Sequence, residues 1–483
     1  MNYNDIELDY LNKLDIAFEN NDKKKIIQLL YELSQMPCDI VGFSYVHKYL
    51  EIFSDEEIIS TPLLSPLSVV DATIYFKFDR AERYAKVLTE FPFIKAHTDY
   101  FMPHIKPSQF RHSMKKLIEM RSNQKINLPV SLNGLSILNG FIDFTAYNNC
   151  LVRLKEPIKQ SIELLYGDKS LGVFEAAMAE MWYQRDECYN ALATIVGIIP
   201  RIENTQNAPA LFTALFIQLE IMIVTGQLSS VEPVLENIYK KLIHSNSYWL
   251  MPNFYALKAW ASMYDGNTKE AENWVRTKAP DELDTIRKTD IFRYIIKARV
   301  YILQKKYYSL INMRELLRPL LVECGHIMDL CQLDILCAIG YFEDNQHKKA
   351  FELLREVLKI CKKRRFDRLL ADEGKKIYTL IMAYKIEEHI QDEYVEHIIS
   401  LSIKITLLYP KYMHRRIEEI PALTPSENDV IKLMCDGKSN ADIADFLGIS
   451  LSTVKFHVSN IFMKLNAKNR HEAIKIATEL GII

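Results

Sequence analysis

Residues 423–472 read LTPSENDVIKLMCDGKSNADIADFLGISLSTVKFHVSNIFMKLNAKNRHE. The spacing in this stretch predicts four short amphipathic helices. Thr424-Pro425-Ser426-Glu427 is a capping box: the Thr hydroxyl and the Glu carboxylate satisfy free backbone donors, and Pro stands at the first helical position, where no donor is needed. Gly437 suits the left-handed residue that ends this helix. Ser439, with Asp442 three residues on, starts the second helix, whose inner stripe is Ile443, Ala444 and Leu447. Gly448-Ile449-Ser450 turns the chain, and Ser450 caps the third helix. There Val454, Val458, Ile461 and Leu465 recur at the spacing of a buried stripe, while Ser452, Phe456, Ser459 and Met463 face the opposite way with Lys455 on the flank. Asn469-Arg470-His471-Glu472 opens a fourth helix.

A helix, a three-residue turn with Gly and a second helix with a free outer face form the helix-turn-helix arrangement, whose second helix enters the major groove of DNA. Residues 421–483 hold seven Lys/Arg and seven acids and are neutral as a whole. The distribution is uneven: residues 450–470 carry Lys455, Lys464, Lys468, Arg470 and His457 with no acid, which suits phosphate contacts. On that pattern Lys455 is expected at a phosphate or guanine edge, with Phe456 and Ser459 facing bases beside Ser452 and Phe456 suited to a thymine methyl. Lys438, Thr453, Lys464 and Arg470 are expected to hold the DNA backbone.

The segment resembles the LuxR/FixJ-type DNA-binding domain, whose pattern runs LT-x-x-E, SN-x-x-IA, TVK-x-H-x-x-x-I-x-x-KL and N-R-x-E-A. Leu423, Thr424, Glu427, Ser439, Asn440, Ile443, Ala444, Thr453, Val454, Lys455, His457, Ile461, Lys464, Leu465, Asn469, Arg470, Glu472 and Ala473 stand in step with it. Asp442 departs from it, Glu being usual there. The resemblance implies a transcription regulator that binds double-stranded DNA, a phosphate or packing role for His457, and a pairing surface on the fourth helix around Ala473, Ile474 and Ala477. Those three residues could instead pack inward against the first helix.

The chain has 483 residues and a formal charge of −2, so it has room for two or three domains and no overall field that draws nucleic acid. Its first residues, MNYNDIELDYLNKLD, are acidic and unlike a signal peptide. The most apolar stretch, 210–226, is interrupted by Gln218 and Glu220, so no membrane span is expected and the location expected is cytoplasmic. The eight cysteines form no CxxC pair and read as reduced core residues. The tightest group, Cys324, His326, Cys331 and Cys337, sits on or beside one helix, with a spacing unsuited to a tetrahedral metal site.

Upstream of the head, residues 170–405 alternate helical stretches with polar turns. The turns recur at Asp186, Gly226, Gly266, Gln304 and Asn345, at intervals of 40, 40, 38 and 41 residues, with another expected near Glu387. Five residues after each comes a small or β-branched residue: Ala191, Val231, Ala271, Ser309 and Ala350. Helix pairs at such a period predict a solenoid, so the fold expected is all-α: a superhelical array of tetratricopeptide-like helix pairs followed by a small four-helix DNA-binding head. Residues 327–361 are the clearest unit. Together with the head, the array resembles the sensor region of MalT-like regulators, and Arg365-Phe366-Asp367-Arg368-Leu369-Leu370-Ala371-Asp372-Glu373-Gly374 is similar to their R-x-x-L-DEG segment. Residues 1–169 read as divergent helix pairs, with turns at Asn20-Asn21-Asp22 and Asp79-Arg80, and 406–422 as a linker with Pro410 and Pro421 at its ends and Arg415-Arg416 between.

MalT-like proteins usually carry a phosphate-loop ATPase, but the only GK[ST] here, Gly437-Lys438-Ser439, has Lys432 where the loop's first Gly belongs. The chain also contains no HExxH, GxSxG or dinucleotide fingerprint, so no catalytic residue, cofactor or metal is expected. The partners expected are DNA, bound as a homodimer, an effector or protein on the repeats, and RNA polymerase. A repeat scaffold with a vestigial or docking head is the alternative.

Overall fold

The computed structural model describes residues 3–34, 41–86, 107–120, 134–140, 142–148, 151–205, 207–245, 247–414, 423–465 and 469–479, with isolated positions at 96, 99, 102, 131 and 467. Among them the regular structure is helical, with one isolated bridge between Asn139 and Asp143. The fold is all-α. No helix among the described residues is long and apolar enough to cross a membrane. The chain divides into two compact units, Met1–His414 and Arg415–Ile483.

In the larger unit six helix pairs follow one another: Val173–Gln184 with Cys188–Val196, Ala208–Val224 with Val231–His244, Met251–Tyr264 with Thr268–Thr277, Ile291–Leu303 with Tyr307–Glu323, Ile327–Glu343 with His347–Arg364, and Gly374–Glu387 with Glu393–Leu408. The first helix of most pairs is apolar nearly all round and buried, and the second is amphipathic, so each first helix lies between neighbours. First helices of successive pairs touch directly, as Met251–Tyr264 does Ile291–Leu303 and Ile291–Leu303 does Ile327–Glu343.

One turn chemistry repeats through the array. The first helix of each pair ends on a left-handed residue, at Asp186, Gly226, Gly266, Lys305, Asn345 and His389. The next amide then bonds five residues back, as in Glu187 N to Trp182 O at 2.9 Å, Gln227 N to Met222 O at 2.8 Å and Gln346 N to Tyr341 O at 2.8 Å. These are Schellman caps, which satisfy carbonyls that the helix end leaves free. From Asp186 to Asn345 they recur at 40, 40, 39 and 40 residues, more regularly than the sequence suggested.

Two turn positions are corrected. Lys305, not Gln304, takes the left-handed conformation, so the buried residue five places on is Leu310 (0% exposed) and Ser309 is only half-buried. Gly340 makes room for Leu310, since a Cβ there would stand 2.7 Å from its Cδ2. In the N-terminal region the turn lies at Phe76 (φ 56°), and Asp79-Arg80 belong to the helix Phe78–Lys86 that follows. Phe76 holds that strained backbone with its ring buried edge-on against Phe78. The turn at Asn21 falls where expected.

The core does not divide at residue 169. Leu14 to Leu117 with Leu165 form one cluster, whereas Phe76, Phe78, Leu135, Ile137, Leu138 and Leu151 join the cluster of the repeats. Glu180 ties this loop down, its carboxylate accepting from the Ile137 amide at 3.1 Å, the Leu138 amide at 3.2 Å and the Ser136 hydroxyl. Burial pushes the Glu180 carboxyl up to about 7, against the pull of those bonds.

The segment 366–374 is a buried hub. Arg368 pairs with Asp372 and, at 3.3 Å, with Asp186 of the first pair's turn; the Tyr183 hydroxyl donates to Asp372 at 2.6 Å; Arg299 Nη2 meets Glu373 at 2.6 Å. Tyr412 stacks on Tyr264 at 4.0 Å and accepts from Trp260 Nε1 at 3.3 Å, and Tyr409 donates to the Ile223 carbonyl at 2.7 Å. Residues 366–374 and 409–413 therefore lie against the helices of the earlier pairs. The expected linker is corrected accordingly: Glu393–Leu408 is helical through 408, and Tyr409, Tyr412 and Met413 are buried in the larger unit. Arg415, Arg416 and Pro421 lie outside the described residues, as do Cys38, Cys150 and Lys468.

Candidate nucleic-acid interface

The smaller unit contains the helices Pro425–Cys435, Asn440–Leu447, Leu451–Lys464 and Arg470–Glu479. The caps fall where the residues place them. Thr424 with Glu427 and Ser439 with Asp442 are reciprocal capping boxes, Ser450 accepts from the Thr453 amide, and Asn469 accepts from the Glu472 amide at 2.9 Å. Asp442, one carbon shorter than the usual Glu, still reaches the Ser439 amide at 2.9 Å. Gly437 (φ 77°) and Gly448 (φ 64°) have open space where a Cβ would stand, so glycine is needed there for backbone conformation and not for room. The unit has its own core, including Val430, Ile431, Met434, Ile443, Val454 and Ile461.

The core orients the third helix. With Val454 and Ile461 fully buried, Ser452, Lys455, Phe456 (63%), Ser459 and Met463 (73%) stand exposed on the outer side, and Thr453 and His457 are half-buried on its flanks. At its N-terminus Ser450 Oγ lies 2.7 Å from both Ser452 Oγ and Thr453 Oγ1. A helix N-terminus edged by hydroxyls, with Lys455 one turn on, matches a phosphate in charge and in hydrogen bonding. Lys438, in the turn before the second helix, is exposed.

Lys464 and Arg470 have partners inside the unit. Lys464 Nζ meets Glu427 Oε2 at 2.6 Å, and that carboxylate is 3% exposed. Arg470 donates to the Met434 carbonyl at 3.1 Å, to the Lys438 carbonyl and to Asn440 Oδ1 at 3.4 Å, joining the fourth helix to the first turn. Burial raises the Glu427 carboxyl, but the bonds from Lys464 and Thr424 outweigh it and hold the group below the usual carboxylate range. Ala473 and Ala477 are both 0% exposed, so the inward alternative is the arrangement the structure has, leaving half-buried Ile474 and exposed Lys475 and Thr478 on the outer side. Sequence reasoning missed Phe446, 71% exposed on the second helix, although its position off the Ile443/Ala444/Leu447 stripe pointed to solvent. Cys435 is also exposed, against the expectation of a core residue.

Residues 421–477 match the family model of the bacterial regulatory proteins of the luxR family. The C-terminal unit is a LuxR-type helix-turn-helix domain. The transcriptional activator protein ExpR of Dickeya dadantii (strain 3937) is 32% identical over 130 residues, which cover 24% of this chain and 51% of that protein. The transcriptional regulatory protein DesR of Bacillus subtilis (strain 168) is 33% identical over 101 residues, 21% of this chain and 51% of that one. The transcriptional activator protein LuxR of Aliivibrio fischeri is 44% identical over 61 residues, 13% of this chain and 24% of its own length. The chain spans about half the length of these relatives or less.

Proposed function

We propose that this chain is a transcription regulator whose LuxR-type head binds promoter DNA and whose helix-pair array receives an effector or a protein partner. The observation that carries the reading is the outer face of Leu451–Lys464, where Lys455, Phe456 and Ser459 are exposed and no acid occurs between residues 450 and 470. Ser452, Thr453, Lys438 and His457 would hold phosphates around it. The relatives named as transcriptional activators and regulators support the same reading. Genome-wide DNA occupancy tests it. A reproducible set of promoter sites that vanishes with Lys455→Ala supports it, and random occupancy would leave the scaffold reading in its place.

Two heads are expected on one operator, because a single head of this size buries little DNA surface. With Ala473 and Ala477 inside, the pairing surface falls to Ile474, Lys475 and Thr478. One protein per DNA with a footprint on a single half-site would contradict pairing. Control is expected without nucleotide hydrolysis, since the sequence has no phosphate cradle with its Lys and Mg²⁺-binding hydroxyl. Saturable ATP binding to the full chain would overturn that part.

A further inference from the structure

A cavity of about 140 Å³ opens between Ala208–Val224 and Val231–His244 in the larger unit. Its inner wall is apolar: Leu211, Phe212, Leu215, Ile238 and Leu242 are each 7% exposed or less. Its mouth is charged. Lys241 Nζ and Glu203 Oε1 face each other there at 3.4 Å, with 36% and 27% of their side chains exposed. At that exposure the pair contributes little to stability.

We infer that this cavity is a binding site for a free α-amino acid with a branched aliphatic or single-ring aromatic side chain. Size sets the apolar part, since a cavity of roughly 150 Å³ lined by Leu, Ile and Phe holds a benzene-sized body. Charge sets the rest. A simple carboxylate or amine could pair with only one of the two charges at the mouth. A zwitterion pairs with both at once, its carboxylate on Lys241 and its ammonium on Glu203. The side chain then fills the space between two helices of one pair, where a change in their spacing passes to the neighbours stacked on them. The inference deepens the reading of the array as a sensor and rests on it only for the consequence at DNA.

Calorimetry on the full chain with L-leucine, L-phenylalanine, 4-methylpentanoate and isoamylamine tests it. Leucine or phenylalanine should bind saturably at one site, and the analogues lacking one charged end should bind about tenfold more weakly or less. Lys241→Met and Glu203→Gln, both at half-buried positions outside the apolar core, should each weaken the amino acid about tenfold with unchanged thermal unfolding. No saturable binding by any of the four, or binding indifferent to both substitutions, overturns the site. Operator binding measured on the same samples separates the two readings. Amino-acid binding without DNA binding removes the regulator and keeps the site, whereas DNA binding without amino-acid binding does the reverse.

Discussion

Replacing Lys464 by Met separates two roles that sequence alone leaves merged, a DNA-backbone contact and an internal prop. Glu427 Oε2 accepts from the Thr424 amide at 2.7 Å and from Lys464 at 2.6 Å, with the carboxylate 3% and the Lys 19% exposed. Removing one partner of such a buried pair costs about 3–5 kcal/mol, chiefly because the other charge stays buried. A head of roughly 60 residues is stable by about 3–9 kcal/mol, so the variant loses a third of its margin or more. At 1.4 kcal/mol per tenfold, amide exchange in the head should accelerate about 100-fold or more. Hydrogen-exchange mass spectrometry on the full chain reads this directly. The four tryptophans, Trp182, Trp249, Trp260 and Trp274, all lie in the larger unit, so their fluorescence is a built-in control that should not move. Adding Glu427→Gln to the variant should recover the greater part, since Gln keeps an acceptor for the Thr424 amide. Because the Glu427 carboxyl is held below its ordinary value, its contribution is complete above about pH 4.3 and lost as pH falls through the folded value. Unchanged exchange in the head together with weakened operator binding would refute this assignment and return Lys464 to the DNA.

Lys455→Ala should behave in the opposite way, weakening operator binding by about 1–3 kcal/mol in a titration while exchange in the head stays as it was. Glu180→Gln should stabilise the larger unit at pH 8 by up to about 3 kcal/mol and have little effect near pH 4. The sign follows from a folded carboxyl raised to about 7: its contribution is present in acid and lost as pH rises from the unfolded value through the folded one. Equal gains at both pH values in tryptophan-monitored urea unfolding would dismiss the buried charge as the cause. Gly448→Ala should cost the head about 1 kcal/mol or slightly more in denaturant unfolding, since φ is 64° and nothing crowds the added methyl.

The head was legible because its signals are local. A capping box, a left-handed Gly and a stripe at helical spacing each involve residues within a turn or two, and Thr424, Gly448 and Val454 all took the places their chemistry required. The period of the array was legible for the same reason, since a Schellman cap is written in the residues that form it. What could not be read is long-range. Glu427 and Lys464 are 37 residues apart, and a charged side chain looks the same in sequence whether it meets a phosphate or a buried carboxylate. The seat of Leu310 depends on space left by Gly340, in the next pair, and neither residue signals the other in sequence. Arg368 and Asp186, 182 residues apart, are joined only by the three-dimensional path of the array.

That path also restricts how an effector can act. Abundant aromatic residues in a helix-pair array invite the idea of an open binding groove, but Tyr183, Trp260 and Tyr264 are already covered by the chain's own residues 366–374 and 409–413. A ligand competing for those aromatics has to break the Arg299–Glu373 pair and the Tyr412 stack together, which leaves buried charge uncompensated and costs several kcal/mol before any new contact forms. A side cavity between two helices carries no such cost. On the proposed sensing role, the hub favours a fixed route, in which residues 409–413 stay seated and a ligand would act by shifting the helices they are seated on. Tyr412→Phe, which keeps the ring stack and removes the bonds to Trp260 and Glu373, should therefore lower the thermal unfolding temperature of the larger unit less than Tyr412→Ala, which removes the stack as well, and equal losses from the two would dismiss the stack as what seats this segment.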